Sequence, residues 1–213
     1  MPQVILASAS PARTATLTAA GIAHRAIASD VDEDAVVAAA RSDRGELTVA
    51  ESVLLLARAK AESVAARQTA DLIIGCDSLL EVDGEPMGKP GTADVARQRW
   101  RQVRGRDGVL NTGHWLILDD GRCAGATSRT TVRFADITDS EIDAYVATGE
   151  PLQVAGGFTI DGLGAAFISA VIGDPHGVVG ISLPLLRELS GSLGISWINL
   201  WSRNGQASLS THH

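Results

Sequence analysis

The chain has 213 residues, 45% of them hydrophobic and 20% charged, with a net charge of −7 at pH 7 and a pI near 5.2. That length and apolar content suit a single domain with ample core; the acidic balance argues against a nucleic-acid polymer as partner and leaves room only for a local positive pocket. No apolar run approaches the ~20 residues of a membrane helix, Met1–Ala7 lacks the basic leader of a secretory signal, and Cys76 and Cys123 make no disulfide framework, so a reducing cytoplasm is expected.

Val4 to Ala7 reads as a buried strand. Ser10 is placed to cap the helix that follows and Pro11 suits its first turn; the helix runs to about Ala20 and stops at Gly21. A strand entering a capped helix is either a ready anion site or an ordinary capped helix. Ser8 and Ser10 would add hydroxyls there, and Arg13 a guanidinium fork. Ile27 to Ser29 is a weak strand. The acidic run Asp30-Val31-Asp32-Glu33-Asp34 is a solvated turn, or else part of a site for a hard divalent cation bridging phosphate oxygens. Thr48 and Glu51 form a capping box that opens a helix to about Arg67. Its stripe of Val53, Leu56, Ala57 and Val64 also contains Lys60, an ammonium that must snorkel or meet an anion.

Leu72 to Ile74 reads as a buried strand that delivers Asp77 to its carboxyl end, where open α/β sheets place their chemistry. Cys76 is expected to be a small buried filler. Asp83-Gly84 reads as a hairpin turn, and the return strand ends at Gly88-Lys89-Pro90. That hairpin brings one carboxylate and one ammonium toward the same spot, unless both are merely solvated. Of the 18 basic residues only Lys60 and Lys89 are lysines. Where arginine has taken nearly every cationic position, a surviving lysine hints at a compact point charge for phosphate.

Thr92 caps a helix from about Ala93 to Val103, ended by Gly105. Val109 to Leu118 reads as a strand turning at Asp120-Gly121, with Arg129 to Phe134 as its partner. Thr138 and Glu141 make a second capping box, for a helix closed by Gly149. Gly149 to Phe158 is glycine-rich loop; Phe158 to Gly162 and Ala165 to Val171 read as strands. Gly173-Asp174-Pro175 is a turn, and Leu183 to Leu193 is a last amphipathic helix. Helices and strands alternate without a linker, which predicts one α/β domain with a mixed sheet over 1–205. Residues 206–213 are expected to be a disordered tail.

Five motifs in this order, Leu6-Ala7-Ser8-Ala9-Ser10-Pro11, Gly75-Cys76-Asp77-Ser78, Gly88-Lys89-Pro90, Tyr145-Val146-Ala147-Thr148-Gly149-Glu150-Pro151 and Val179-Gly180-Ile181-Ser182-Leu183-Pro184, resemble those of the Maf family of nucleoside triphosphate pyrophosphatases. The likeness runs from Leu6 to about Leu193. It implies an α/β fold with an elongated mixed sheet in two lobes around a central cleft, like that of the inosine triphosphate pyrophosphatases, and a homodimer. It also implies hydrolysis of a nucleoside triphosphate to monophosphate and pyrophosphate with Mg²⁺ or Mn²⁺. The family's general base falls on Asp77 and its supporting charges on Glu33, Lys60 and Lys89, with Glu33 and Asp77 as the metal-facing carboxylates. Ser8, Ser10 and Arg13 match its phosphate-binding start. Ala12, Ser78 and Asp161 occupy positions where family branches differ. They match neither the dTTP- and UTP-type pattern nor the 7-methyl-GTP pattern, and Val154 replaces a usual lysine. Two other readings compete with the enzyme: a non-catalytic regulator of septation that binds nucleotide, and a phosphomonoesterase using Asp30 and Asp32.

Overall fold

The computed structural model describes residues 2–202; the expected tail at 206–213 lies outside the described residues. Its frame is one mixed sheet ordered β2-β1-β3-β5-β6-β7, with β4 paired to β3 alone. The strands are β1 (Val4–Ala7), β2 (His24–Ala26), β3 (Leu72–Val82), β4 (Glu85–Met87), β5 (Asp107–Leu118), β6 (Cys123–Phe134) and β7 (Ile168–Ile172). β1 runs parallel to both β2 and β3, and the remaining pairs are antiparallel. The helices are α1 (Pro11–Ala19), α2 (Glu33–Arg44), α3 (Val49–Ala65), α4 (Ala93–Val103), α5 (Asp139–Ala147), α6 (Pro175–Val179) and α7 (Leu183–Ser192). Among the described residues no helix is long and apolar enough to cross a membrane.

Because side chains alternate across a strand, each long strand feeds two faces. On one face two apolar cores lie end to end. The first joins Leu72 and Ile74 of β3 and Leu116 of β5 to Leu17 of α1 and Leu186 of α7. The second joins Leu80, Leu110 and Phe134 to Trp100 of α4 and Tyr145 of α5. These are the two lobes. Between them the same face turns polar, with Ser78 of β3 opposite Thr112 of β5 and with His114 and Thr130 beside them. The other face is covered by α3, which packs Ala61 and Val64 on Ile5 and Ile73. Gly75 and Gly113 let α3 sit flush on the sheet. A Cβ on Gly75 would lie 2.1 Å from the carbonyl oxygen of Ala57, and one on Gly113 2.3 Å from that of Val53.

Several boundaries differ from the sequence reading. The Ile27–Ser29 strand is not formed; β2 lies just before it. The acidic turn is a helix start: Asp32 accepts from the Ala35 N–H at 3.0 Å and caps α2, where Glu33 and Asp34 meet the positive end of the helix dipole. β3 runs to Val82, so Asp77 sits at mid-strand and not at a carboxyl end. Phe158 to Gly162 is irregular, followed by a 3-10 turn at Leu163–Phe167, and β7 starts only at Ile168. Asp174 accepts from the His176 and Gly177 N–H groups and opens α6 where a plain turn was expected.

Candidate active site

The site begins at a gap in the sheet. β1 stops pairing with β3 at Ala7–Gly75, and β4 starts only at Met87–Leu80. Between them, Cys76 to Leu79 have a strand neighbour only in β5. A cavity of about 760 Å³ opens at this gap and reaches both faces of the sheet. Its lining includes all nine residues singled out from the sequence: Ser8, Ser10, Arg13, Glu33, Lys60, Asp77, Ser78, Lys89 and Asp161. Asp30 and Asp32 are not among the lining residues. Asp30 pairs with Arg67 and Asp32 caps α2, so the pair required by a phosphomonoesterase is committed elsewhere.

On the α3 side, Lys60 points into the gap because its place in the apolar stripe of α3 faces the sheet. Its Nζ lies 2.5 Å from Asp77 Oδ1 and 2.8 Å from Glu33 Oε1. The side chains of Lys60 and Asp77 are each 11% exposed, whereas Glu33 at the start of α2 is half exposed. The lysine of the stripe therefore meets anions. Burial pushes the Asp77 carboxyl up from the ordinary 3.8, and Glu33 pushes the same way; Lys60 and Arg13 pull it back without cancelling the rise. Lys89 stands on the hairpin exit, exposed, with no carboxylate within 4 Å among the described residues. Its loop is held by Arg99, whose Nη1 donates to the Gly88 carbonyl at 2.5 Å.

Arg13 fills the gap itself. Its Nε donates to the Gly180 carbonyl at 2.8 Å, Nη1 to the Cys76 carbonyl at 3.0 Å and to Ser8 Oγ at 3.1 Å, and Nη2 to Ser78 Oγ at 3.0 Å. The guanidinium fork expected to face a ligand is thus spent on tying β1, β3 and the segment after α6 together. Ser78 is drawn into the same network. Thr112 Oγ1 donates its one hydrogen to the Gly177 carbonyl at 2.8 Å, so the 3.0 Å contact between Ser78 and Thr112 must be donated by Ser78. Cys76 is fully buried, and burial raises its thiol to about 11, consistent with a filler.

On the opposite side the cavity wall is apolar: Val154, Phe158, Ile160, Val178 and Val179, with Asp161 exposed among them. The sequence reading missed what positions this wall. Glu150 accepts from Tyr145 Oη at 2.9 Å, Thr159 Oγ1 at 2.6 Å, Leu163 N at 3.0 Å and Gly164 N at 2.9 Å, which fixes the loop carrying Phe158 to Asp161. Burial opposes ionisation of Glu150, but those four donors outweigh it and hold the carboxyl at about 2. Trp100 anchors the same loop by donating to the Gly157 carbonyl at 2.9 Å. Glu150 stands inside a quoted motif, yet nothing local tells which segment it will organise. A lysine-paired buried carboxylate, a second ammonium and two serine hydroxyls facing an apolar wall can hold a polyanion with an apolar appendage. They can also take a proton from water beside it.

Residues 3–192 match the family model of the Maf-like proteins. A protein of Leifsonia xyli named nucleoside triphosphate pyrophosphatase is 51% identical, over 95% of this chain and 98% of its own length. One of the same name from Nocardia farcinica is 52% identical, over 93% and 96%. Among solved structures, that of the Staphylococcus aureus Ham1 protein aligns over 99% of this chain and 100% of its own, at 14% identity and a TM-score of 0.41, too loose a likeness to carry weight. By the extent of the family match and by identities of about half over nearly the whole length, the chain belongs to the Maf-like protein family.

Proposed function

We propose that the chain is an enzyme hydrolysing nucleoside triphosphates to a nucleoside monophosphate and pyrophosphate, with Asp77 as general base. The observation that carries this reading is the Glu33–Lys60–Asp77 array at the sheet gap, in a cavity that also holds Lys89, Ser8 and Ser10. The activity named for the similar proteins supports the same reaction. Charge sorts the substrate: the triphosphate lies along the α3 side with its ammonium groups, and the nucleoside lies against Phe158, Ile160 and Val178.

Lys60 engages Oδ1 of Asp77, which leaves Oδ2 to orient a water and accept its proton. The raised carboxyl makes Asp77 a stronger base than an exposed aspartate. The water oxygen bonds to the α-phosphorus, the bond from that phosphorus to the bridging oxygen breaks, and pyrophosphate leaves with the electron pair. Lys60 and Lys89 neutralise the charge gathering on the leaving group.

The donor set also fits a hard divalent cation. Among the described residues no cluster of three or more His, Cys, Asp or Glu side chains could hold a metal alone. Mg²⁺ is ordinarily held by one or two carboxylates together with substrate phosphates, which Glu33 and Asp77 would provide. When bound, such an ion neutralises phosphate charge and polarises the phosphoryl oxygens.

The test is to incubate the protein with standard and modified triphosphates plus Mg²⁺ or Mn²⁺, measuring monophosphate, pyrophosphate and orthophosphate separately. Monophosphate and pyrophosphate in equal amounts are expected. Asp77→Asn should fold and lose roughly 10²–10³ in rate, the scale seen for single electrostatic groups. Binding without turnover would instead establish a nucleotide-sensing module, and a fully active Asp77→Asn would remove the base.

A further inference from the structure

The segment Asp174–Ser182 supplies the Val178–Gly180 wall of the cavity, yet its only regular structure is the five-residue α6. It is fastened to the polar band between the two cores. Thr130 Oγ1 donates to the Asp174 carbonyl at 3.0 Å, and Thr112 Oγ1 to the Gly177 carbonyl at 2.8 Å. Arg13 Nε donates to the Gly180 carbonyl at 2.8 Å, and the Ser182 N–H donates to His114 Nε2 at 2.8 Å. Gly177 lies so close to β6 that a Cβ would meet Ser128 Oγ at 2.9 Å.

His114 has no exposed surface and does not line the cavity. A backbone N–H can only donate, so Nε2 is the bare nitrogen and the ring proton sits on Nδ1. That Nδ1 is buried and makes no well-formed hydrogen bond among the described residues, only a poorly aligned approach to the Thr112 backbone. Burying an unpaired polar group is unfavourable, and such exceptions call for a reason. An apolar side chain would avoid the penalty; what it would not supply is a neutral acceptor beneath Ser182. Burial, with Arg13 nearby, outweighs the opposing pull of the Thr112 backbone and of Asp174 and holds the imidazole at about 3, so that acceptor persists throughout the neutral range.

We propose that His114 is a positioning residue for substrate binding: through Ser182 it fixes the Val178–Gly180 wall, and so sets affinity for the nucleoside half without touching it. The proposal rests on the triphosphate reading above. Its test compares His114→Leu, which deletes the acceptor, with His114→Gln, which offers an amide oxygen. Turnover is measured alongside calorimetric binding of an α,β-methylene nucleoside triphosphate and of inorganic tripolyphosphate. For His114→Leu we expect KM and analogue Kd to rise roughly tenfold, with kcat within about threefold and tripolyphosphate affinity unchanged. His114→Gln should recover most of the loss. Should His114→Leu not fold, Thr112→Val severs the neighbouring latch and should show the same split. Unchanged KM in the folded variants, or an equal loss of tripolyphosphate affinity, would overturn the proposal. If the wild type binds the analogue but hydrolyses no triphosphate, the functional reading fails, while the latch is still judged by binding.

Discussion

Replacing Gly75 by alanine should separate Lys60 from Asp77 without touching either. The added Cβ would lie 2.1 Å from the Ala57 carbonyl oxygen and 2.9 Å from the Ala61 nitrogen. Both obstacles are helix backbone, which cannot rotate away as a side chain would. Restoring an ordinary contact of about 3.4 Å requires α3 to retreat by roughly 1.3 Å. Lys60 lies between Ala57 and Ala61 in sequence and retreats with them. Its 2.5 Å contact with Asp77 then stretches past the length of a hydrogen bond. Overpacking of this kind costs about 1–3 kcal/mol, and a chain of this size loses about 2–4 °C of Tm per kcal/mol. A catalytic group displaced by about 1 Å loses on the order of 10²-fold in rate. Thermal melts by circular dichroism and a pyrophosphate-release assay read the two effects separately. Gly191→Ala in α7, where nothing lies within 4 Å of the added carbon, is the control: it should leave activity unchanged and, by helix propensity, hold or slightly raise Tm. A Gly75→Ala protein of normal Tm, or one destabilised yet fully active, would refute the idea that the seat of α3 sets the lysine–aspartate pair.

Acid should destabilise the fold before it affects most carboxylates. The His114 imidazole is held at about 3 when folded against an ordinary 6.5, so between those values the unfolded chain binds the extra proton. Stability is therefore full above pH 6.5 and falls with pH at up to about 1.4 kcal/mol per unit from this residue. Glu150 adds to the loss only below its ordinary 4.5, and the raised Asp77 carboxyl works in the opposite sense. Urea unfolding between pH 6.5 and 5 should show a slope that His114→Leu flattens; an unchanged slope would refute the assignment. Lys60→Arg keeps the charge but puts a planar fork into a slot sized for one nitrogen between Asp77 and Glu33. It should fold and lose more than about tenfold in turnover, whereas activity within threefold of wild type would show that charge alone suffices.

The elements most legible in the sequence were those with their own terminal chemistry. Ser10, Thr48, Thr92 and Thr138 each accept from the backbone N–H three residues on, as the capping patterns predict. The Asp83-Gly84 turn has positive φ at both residues, +53° and +83°, as a tight hairpin demands. α2 was missed because it carries no buried residue, so no apolar stripe announces it. Its acidic start reads equally well as a solvated turn. The mid-strand position of Asp77 was hidden because β3 stays paired with β5 well past the apolar Leu72–Ile74 run. Phe158 to Gly162 has strand-like composition but is bent around the Glu150 carboxylate, a tertiary contact with no local signature.

The candidate site divides along the same line. Side chains expected to face a ligand directly were visible as residue types at marked positions, whereas those acting through another segment's backbone were not. Arg13 shows why: the motif gives a fork beside a helix start, but only the fold reveals four protein acceptors around it. The contrast between the two cation types is the clearest case. Arginines recur where planar forks meet fixed oxygens: Arg133 grips both carboxylate oxygens of Asp107 at 2.8 and 3.0 Å, and Arg104 joins the Ile137 carbonyl to Asp139. The two lysines both line the cavity, one paired with carboxylates and one with no carboxylate in reach among the described residues. A compact, rotatable ammonium suits a charge that must follow phosphate oxygens as they rearrange, and a rigid fork suits a fixed partner. An arginine-rich chain that keeps lysine only here thus marks this cavity in its composition.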